Sequence, residues 1–164
     1  MTDWILMRVK FLGINSRKIM RKFELMAKQD QRLPKKNVGL FPQSELELEF
    51  MCLIARKDMD LIEYVVEEPN IDTLKLLADY YQVSFELYHT EVNGYAVGYG
   101  EYCHKEKDFE LFALENIDFS GCVFKDNQYH YEGEIYPNKY SLRKYLWIRA
   151  YRGYRIGKIL QDID

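Results

Sequence analysis

The alternation of apolar and polar side chains predicts the first strand and helix of the chain. Residues 4–12 are apolar and then alternate, which is typical of a strand with one buried face. After Gly13, apolar residues recur at steps of three and four, which predicts an amphipathic helix. Asn15 or Ser16 is expected to cap its first turn. The apolar positions of this helix are Ile19, Met20, Phe23, Met26 and Ala27.

The same patterns predict two strands and a second helix in the middle of the chain. Residues 31–43 contain Pro34, Gly39 and Pro42 and are expected to form a loop. Residues 45–54 alternate and then become continuously apolar, which predicts a strand that enters the core. A second strand is expected over residues 61–66. Beyond the break at Pro69, residues 71–81 have the spacing of a helix, capped by Asn70 or Asp72.

A hairpin is predicted where Asn93-Gly94 separates residues 83–92 from residues 95–103, because this dipeptide accepts the positive φ angles of a two-residue turn. Pairing Val92 with Tyr95 places Thr90 opposite Val97, Tyr88 opposite Tyr99 and Glu86 opposite Glu101 on one face. The other face carries Val83, Phe85, Leu87 and His89 against Tyr102, Gly100, Gly98 and Ala96. We expect this second face to be core, since the two glycines leave room for a helix or a bulky neighbour. The tyrosine face would look outward or lie under the C-terminal segment.

The last third of the chain has shorter elements. Apolar pieces occur at residues 109–114 and 121–124, and Asp126-Asn127 is expected to turn the latter into a hairpin with residues 128–131. Pro137 and Asn138 precede a helix predicted over residues 140–151. Gly153 is expected to end that helix.

The order of these elements predicts the fold class. Strand, helix, strand, strand, helix and hairpin fit an α+β fold with an antiparallel sheet, helices on one face and a ferredoxin-like arrangement. A length of 164 residues suits one domain with an appendage. We therefore expect a ferredoxin-like α+β domain over residues 1–119. The C-terminal hairpin and helix, residues 120–164, are expected to pack on it or beside it.

Part of the sequence resembles a known family. The strand that begins at Trp4, the run over residues 71–88 and the segment Asn93-Gly94-Tyr95-Ala96-Val97-Gly98 resemble the YubB-like ferredoxin-fold proteins, which are small proteins carried by plasmids and phages. The resemblance rests on packing residues and covers about a quarter of the chain. It implies the fold and a mobile-element origin, and it supplies no catalytic residues.

Charge is segregated along the chain. Residues 1–40 have a net charge of +7, residues 41–119 of −13 and residues 120–164 of +3, which together make the net charge of −3. Two interpretations fit this pattern: the basic ends neutralise the acidic middle internally, or they serve a charged partner. The first helix is a local example. Arg17, Lys18, Arg21, Lys22 and Lys28 either form a solvated face or meet an anionic partner.

Several chemistries lack support in the sequence. The three cysteines form no Cys-x-x-Cys pair, and the first residues lack a secretory signal pattern, so we expect a reducing, cytoplasmic location. No apolar stretch approaches the roughly 20 residues of a membrane span. There is no nucleophile motif such as Gly-x-Ser-x-Gly and no glycine-rich phosphate loop. We therefore expect no enzyme activity, no catalytic residue, no cofactor and no small-molecule substrate.

Two clusters of ionisable residues are candidates for a reactive site. A metal site would need His89, Cys103, His104, Cys122 and His130 to converge. The hairpin register places His104 about 20 Å from His89, at roughly 3.3 Å per residue, so we expect no metal. Glu86 and Glu101 could form a carboxylate pair for acid/base chemistry, but we expect both to reach water.

Binding is therefore the predicted function. The chain contains 14 Tyr, 9 Phe and 2 Trp, and Tyr is typical of protein interfaces. We predict a non-enzymatic module that recognises a protein, with the candidate residues Tyr88, Tyr95, Tyr99, Glu86 and Glu101. By the family resemblance, the partner would be a host protein of defence or nucleic-acid handling. Tyrosines that serve only as scaffold remain an alternative.

A second alternative is a module that binds single-stranded nucleic acid, RNA in particular. Sheet tyrosines would stack on bases, and a basic C-terminal segment would contact phosphates. The candidate residues of that segment are Arg149, Arg152, Tyr154, Arg155 and Lys158.

Overall fold

The computed structural model describes residues 4–29, 35–36, 47–48, 50–91, 97–114 and 120–163. It shows a mixed α+β fold, which confirms the predicted class. The chain divides into two compact units, Met1–Gly94 with Gly98–Leu111, and Tyr95–Val97 with Phe112–Asp164. The predicted domain boundary after residue 119 lies on a segment outside the described residues.

Strands and helices follow one another in this order: β1 Ile5–Leu12, α1 Ser16–Ala27, β2 Lys35–Lys36, β3 Glu47–Leu48, β4 Met51–Arg56, a 3-10 turn Lys57–Met59, β5 Leu61–Val66, α2 Ile71–Tyr81, β6 Ser84–Glu91, β7 Val97–Cys103, β8 Asp108–Leu114, β9 Val123–Lys125, β10 Gln128–Tyr131, β11 Glu134–Tyr136 and α3 Lys139–Ile163. The predicted bounds of β5 and α2 agree with the structure. The predicted loop over residues 31–43 lies largely outside the described residues.

The main sheet has six strands in the order β4-β5-β1-β6-β7-β8. Strand β1 pairs antiparallel with β5 on one side and with β6 on the other. Strand β4 adds to β5, also antiparallel. The register places Glu63 and Tyr88 on either side of Arg8.

The core of the first unit lies between one face of this sheet and helices α1 and α2. Met7, Val9 and Phe11 of β1 are buried, whereas Arg8 and Lys10 are exposed. The same core contains the apolar face of α1 (Ile19, Met20, Phe23 and Met26) and the buried side of α2 (Leu74, Leu77 and Ala78). The strand and helix periodicities predicted from sequence therefore meet in one apolar layer.

Aromatic rings form the centre of that layer. Phe11 stacks on Phe23 with 5.6 Å between ring centroids, and Phe23 meets Phe50 edge-on at 5.2 Å. Phe50 in turn meets Tyr64 edge-on at 4.7 Å. Such pairs contribute about 0.5–1.5 kcal/mol each beyond the area they bury.

The predicted side-chain caps of α1 and α2 are wrong. Asn15 and Asn70 occupy the cap positions, but neither side chain accepts a hydrogen bond from its helix. Instead, the side-chain amide of Asn15 donates to the carbonyl of Tyr81 at 3.1 Å, and Asn70 Oδ1 accepts from the Tyr64 hydroxyl at 2.6 Å. Asn15 thus joins the start of α1 to the end of α2, far along the chain, whereas Asn70 joins the start of α2 to the preceding strand β5.

The strand predicted over residues 45–54 is interrupted. Residues 47–48 form β3, and β4 starts at Met51. Cys52 has a φ of 53°, and the pairing of β4 with β5 shifts between Met51 and Ile54. This irregularity is a β-bulge, in which one strand accommodates an extra residue opposite its partner.

Side-chain contacts agree with the predicted register of the β6–β7 hairpin, although Asn93-Gly94 lies outside the described residues. The rings of Phe85 and Tyr102 are 5.2 Å apart, and those of Tyr88 and Tyr99 are 4.8 Å apart. The predicted space at the glycines exists, but side chains from neighbouring strands fill it. A Cβ at Gly98 would overlap with the His89 imidazole.

The second glycine of β7 is equally constrained. A Cβ at Gly100 would lie 2.9 Å from Phe109 Cζ and 3.3 Å from Leu87 Cγ. Phe109 comes from β8 and Leu87 from β6, so the two neighbouring strands, and no helix, supply these contacts.

The second unit contains a three-stranded antiparallel sheet in the order β11-β10-β9. The predicted hairpin at Asp126-Asn127 is confirmed, and both residues have positive φ angles, 55° and 60°. A second turn at Glu132-Gly133, with φ angles of 49° and 81°, adds β11, which the sequence analysis did not predict. Both turns have the backbone that a two-residue hairpin requires.

Helix α3 is longer than predicted. Asn138 caps its start, because Asn138 Oδ1 accepts from the amide of Ser141 at 2.8 Å. The helix continues through Gly153 to Ile163, so the predicted end at Gly153 is wrong. A glycine inside a helix costs about 1 kcal/mol relative to alanine. Packing beyond that position offsets this cost, since the ring of Tyr154 stacks on Phe112 at 4.7 Å.

We predict that Gly98→Ala destabilises the protein by about 1–3 kcal/mol, because the new methyl group must displace the His89 ring. In a His89→Ala background the same substitution should cost much less. Urea unfolding of the two single variants and the double variant measures this coupling. Gly121→Ala is the matched control, since its Cβ would lie 3.4 Å from Tyr131 Cε2, an ordinary contact. An equal cost in both backgrounds would contradict the packing described here.

We predict that Gly153→Ala stabilises the protein by roughly 0.5–1 kcal/mol, because position 153 is exposed inside α3 and no other atom lies within 4 Å of the added Cβ. Thermal unfolding measures the gain. Gly133→Ala should have the opposite sign, since Gly133 has a φ of 81°. If Gly153 instead ended the helix with a left-handed backbone, both substitutions would destabilise.

Candidate functional site

The face of the main sheet that looks away from α1 and α2 is the candidate site of the first unit. We call it the open face and define it by Arg8, Lys10, Glu63, Glu86 and Tyr88. In the β1 pairing, Arg8 lies between Glu63 and Tyr88, and Lys10 lies opposite Glu86. Since opposing residues of antiparallel strands share a face, these side chains form one surface.

A carboxylate bridged by two arginines organises the charge of the open face. Glu63 Oε1 lies 3.2 Å from Arg8 Nη2 and 3.3 Å from Arg56 Nε. Both arginine side chains are 49% exposed, whereas that of Glu63 is 17% exposed. The pairing orients the arginines and leaves part of each guanidinium open to water. Exposed ion pairs of this kind contribute little to stability, typically less than about 1 kcal/mol.

Tyrosines 88 and 99 form the aromatic part of this surface. Their rings meet edge-on with 4.8 Å between centroids, and the hydroxyl of Tyr99 donates to Glu101 Oε1 at 2.6 Å. Tyr88 is 44% exposed, as expected for an outward residue. Tyr99 is only 7% exposed, so of the two alternatives for the tyrosine face, outward or covered, Tyr99 fits the covered one. Tyr95 lies outside the described residues.

The two glutamates of the predicted binding set are both half-buried. Glu101 accepts the hydrogen bond from Tyr99, and Glu86 lies opposite Lys10 in the β1 pairing. Both residues keep partial contact with water. The hydrogen bond from Tyr99 offsets part of the cost of burying the Glu101 carboxylate.

Ionisable groups also converge at the end of α2, where Asp79 meets β7 and the turn that follows it. Asp79 Oδ1 accepts from the Tyr102 hydroxyl at 2.8 Å and from Lys107 Nζ at 2.6 Å. Burial acts to raise the pKa of Asp79, but the hydrogen bonds from Lys107 and Tyr102 outweigh it, and the pKa is lowered. Burial, followed by the hydrogen bond to Asp79, raises the pKa of Tyr102 to about 12. The cluster joins α2 to β7 and holds both groups in their ordinary charge states at neutral pH.

The C-terminal residues predicted to contact nucleic acid have different environments. Arg149 Nη1 is 2.7 Å from Glu132 Oε2, and its guanidinium lies over the Tyr145 ring at 5.9 Å. Tyr154 stacks on Phe112. Arg152 and Arg155 are exposed, and the side chain of Lys158 lies outside the described part. Arg149 and Tyr154 thus already have partners within the second unit.

An aromatic ladder along α3 was missed in the sequence analysis. Trp147 and Tyr151 are stacked with 5.0 Å between centroids and planes 8° apart, and Phe112 of β8 contacts Trp147, Tyr151 and Tyr154. The spacing of Trp147, Tyr151 and Tyr154, four residues and then three, is the signal that could have revealed it. Because the predicted helix ends at Tyr151, Tyr154 fell outside it and the repeat was not recognised.

The described residues show neither a cluster of metal ligands nor a membrane-spanning helix. No group of three or more His, Cys, Asp or Glu side chains in the described segments is placed to hold a metal ion. Cys52, Cys103 and Cys122 are all free thiols. In the part of the chain that the structure describes, no helix has the length and apolar character needed to cross a bilayer.

The chain was compared with protein families, curated proteins and solved structures. No family model matches the chain, and neither a curated protein nor a solved structure matches it. The resemblance to the YubB-like family therefore stays a prediction.

We predict that Asp79 stabilises the protein above about pH 4 and that this contribution disappears in acid. A carboxyl whose folded pKa is lowered adds stability above its unfolded pKa, about 3.9, and loses it as the pH falls through the folded pKa. The stability difference between the wild type and Asp79→Asn should be largest near pH 7 and shrink below pH 4. Urea midpoints from pH 2 to pH 7 measure it.

The matched control for Asp79→Asn is Glu106→Gln, a neutralising change at an exposed position in the turn that contains Lys107. Its pH-dependent effect should be clearly smaller. A difference between the wild type and Asp79→Asn that stays constant over this range would show that the carboxylate charge contributes nothing.

Proposed function

We propose that the first unit has a ferredoxin-like fold, with residues 120–164 as an extension. The strand order β4-β5-β1-β6 supports this proposal, together with α1 after β1 and α2 between β5 and β6. In such a fold one sheet face is covered by helices and the other is available to a ligand. Fold alone carries no function, so the proposal for function rests on the open face.

We propose that the protein is a non-enzymatic module that recognises another protein through the open face. The observation that carries this proposal is the presentation of Tyr88: its ring is 44% exposed, braced edge-on by Tyr99 and placed beside Arg8. Tyr and Arg are the residues most enriched among interface anchors. An aromatic side chain that is already held in place loses little conformational entropy on binding.

The charges of the open face favour a polypeptide over a nucleic acid as its partner. Arg8, Lys10 and Arg56 alternate with Glu63 and Glu86. A polyphosphate would meet repulsion from the carboxylates, whereas a protein surface with both signs of charge can match the pattern. The alternative of base stacking on the sheet loses one of its platforms, because Tyr99 is buried.

The kind of protein that the open face recognises is a further part of this proposal. By the family resemblance it would be a host protein that acts in defence or in nucleic-acid handling, which the protein would inhibit by occupying a surface. The roles of Glu86 and Glu101 in this scheme are to set the charge pattern around Tyr88 and to accept hydrogen bonds from the partner.

We expect Tyr88→Ala to abolish stoichiometric capture of a protein partner from a nuclease-treated bacterial lysate. Truncation of an interface anchor typically costs 2 kcal/mol or more, a loss of about 30-fold in affinity. Arg8→Ala should weaken capture to a smaller extent, since Glu63 keeps Arg56 as its ion-pair partner. The partner is identified by mass spectrometry and its affinity for each variant is then measured with purified components.

Tyr80→Ala is the matched control. Tyr80 is 54% exposed on α2, so the same truncation is made on the helix-covered side of the sheet. Equal effects of the two substitutions would count against the open face. A photoreactive phenylalanine analogue at position 88 should also crosslink to the partner, while the same analogue at position 80 should not.

A further inference from the structure

The outward face of α1 is rich in cations. We call it the basic face and define it by Arg17, Lys18, Arg21, Lys22 and Lys28. Arg17, Lys18, Arg21 and Lys28 are exposed and Lys22 is half-buried. Steps of four and seven residues align Arg17, Arg21 and Lys28 in one row, with Lys18 and Lys22 beside them. The row is about 16 Å long at roughly 1.5 Å per residue.

The cations of the basic face are not neutralised within the described part of the chain. Arg8, Arg56, Lys107 and Arg149 each lie within ion-pair distance of a carboxylate. Within the described ranges no such pair involves a cation of the basic face, and α1 contains one acidic residue, Glu24. Internal neutralisation of the basic N-terminal segment is therefore seen at Arg8 and Glu63, on the opposite side of the sheet.

The position of these charges also opposes the local electrostatics of the helix. Arg17 and Lys18 lie in the first turn of α1, which has no acidic residue. The helix dipole disfavours cations there by about 0.3–1 kcal/mol each. Stability of α1 therefore does not account for them, whereas an external anion that binds along the face would.

We propose that the basic face binds the sugar-phosphate backbone of a nucleic acid, without reading its sequence. The basic face carries five cations and one carboxylate, Glu24, which lies between Arg21 and Lys28 in the row. This excess of positive charge along a rigid helix complements a chain of phosphates. The outward positions of α1 carry no aromatic ring, since Phe23 is buried, so the face contacts phosphates and does not stack on bases. The apolar side of α1 is already packed in the core, and Leu25 is the one large apolar side chain at an exposed position of α1. One such side chain is too little for the helix to insert into a lipid bilayer.

This proposal does not depend on recognition of a protein by the open face. The basic face belongs to the helix layer, and the open face is the other side of the same sheet. A protein partner and a nucleic acid could therefore be held at once, with the first unit between them. Either surface can fail its own test while the other passes.

The test measures binding of the full chain to fluorescent 20-base-pair duplex DNA, the same duplex as RNA, and a 20-nucleotide single strand, between 50 and 200 mM salt. With three or more phosphate contacts, affinity for a duplex should fall by at least about 40-fold over this range. Arg17→Glu/Arg21→Glu should lower duplex affinity at least tenfold at 50 mM salt. It should also reduce the slope of log affinity against log salt by about two.

Two further variants control this result. Lys105→Glu/Lys125→Glu makes the same change in net charge at exposed positions outside α1 and should change affinity less than twofold. Arg17→Lys/Arg21→Lys keeps the charge and should bind like the wild type. Circular dichroism and thermal midpoints establish that each variant is folded before its affinity is interpreted.

Specific results would overturn the proposal. One is that the wild-type protein shows no salt-dependent binding to any of the three nucleic acids. The same holds if the protein binds only to vesicles of phosphatidylserine and phosphatidylcholine. Others are an equal loss in the Lys105/Lys125 control, and a loss confined to Arg152→Glu/Arg155→Glu, which would place the contact in the C-terminal segment. A strong preference for one duplex sequence over a scrambled one would contradict backbone recognition.

Discussion

The packing of β1 against α1 and α2 is the constraint on which the first unit depends. Met7, Val9 and Phe11 are fully or almost fully buried, and burial of side chains of this size contributes about 1.5–3 kcal/mol each. A shift of one residue in the pairing of β1 would turn these three outward and place Arg8 and Lys10 in the core. The position of the open face, including Arg8 beside Tyr88, is thus a direct consequence of core packing.

The first unit presents two surfaces with different charge patterns. On the open face, cations and carboxylates alternate and surround one exposed tyrosine, a combination typical of protein recognition. On the basic face, cations line a helix without carboxylate partners among the described residues, a combination typical of phosphate binding. The sheet separates these surfaces, so each can act without the other.

Much of the local structure could be predicted because it depends on short-range patterns. Alternation around Asn93-Gly94 predicted that Phe85 meets Tyr102 and that Tyr88 meets Tyr99, as their ring contacts show. Side-chain partners far along the chain were not predictable in this way. Asn15 bonds to Tyr81 and does not cap its own helix, and α3 continues past Gly153 because an aromatic ladder holds it.

The sequence alone determined the bounds of β5 and α2 and the apolar positions of β1 and α1, because these follow from periodicity within a few residues. It also determined that charge is segregated along the chain. Only the tertiary structure decided which charges meet. In the folded protein, Glu63 pairs with two arginines, and Asp79 accepts hydrogen bonds from Tyr102 and Lys107. The cations of α1 face outward. The physical reason is that ion pairing and burial depend on distances between segments, and those distances are set when the sheet and helices pack together.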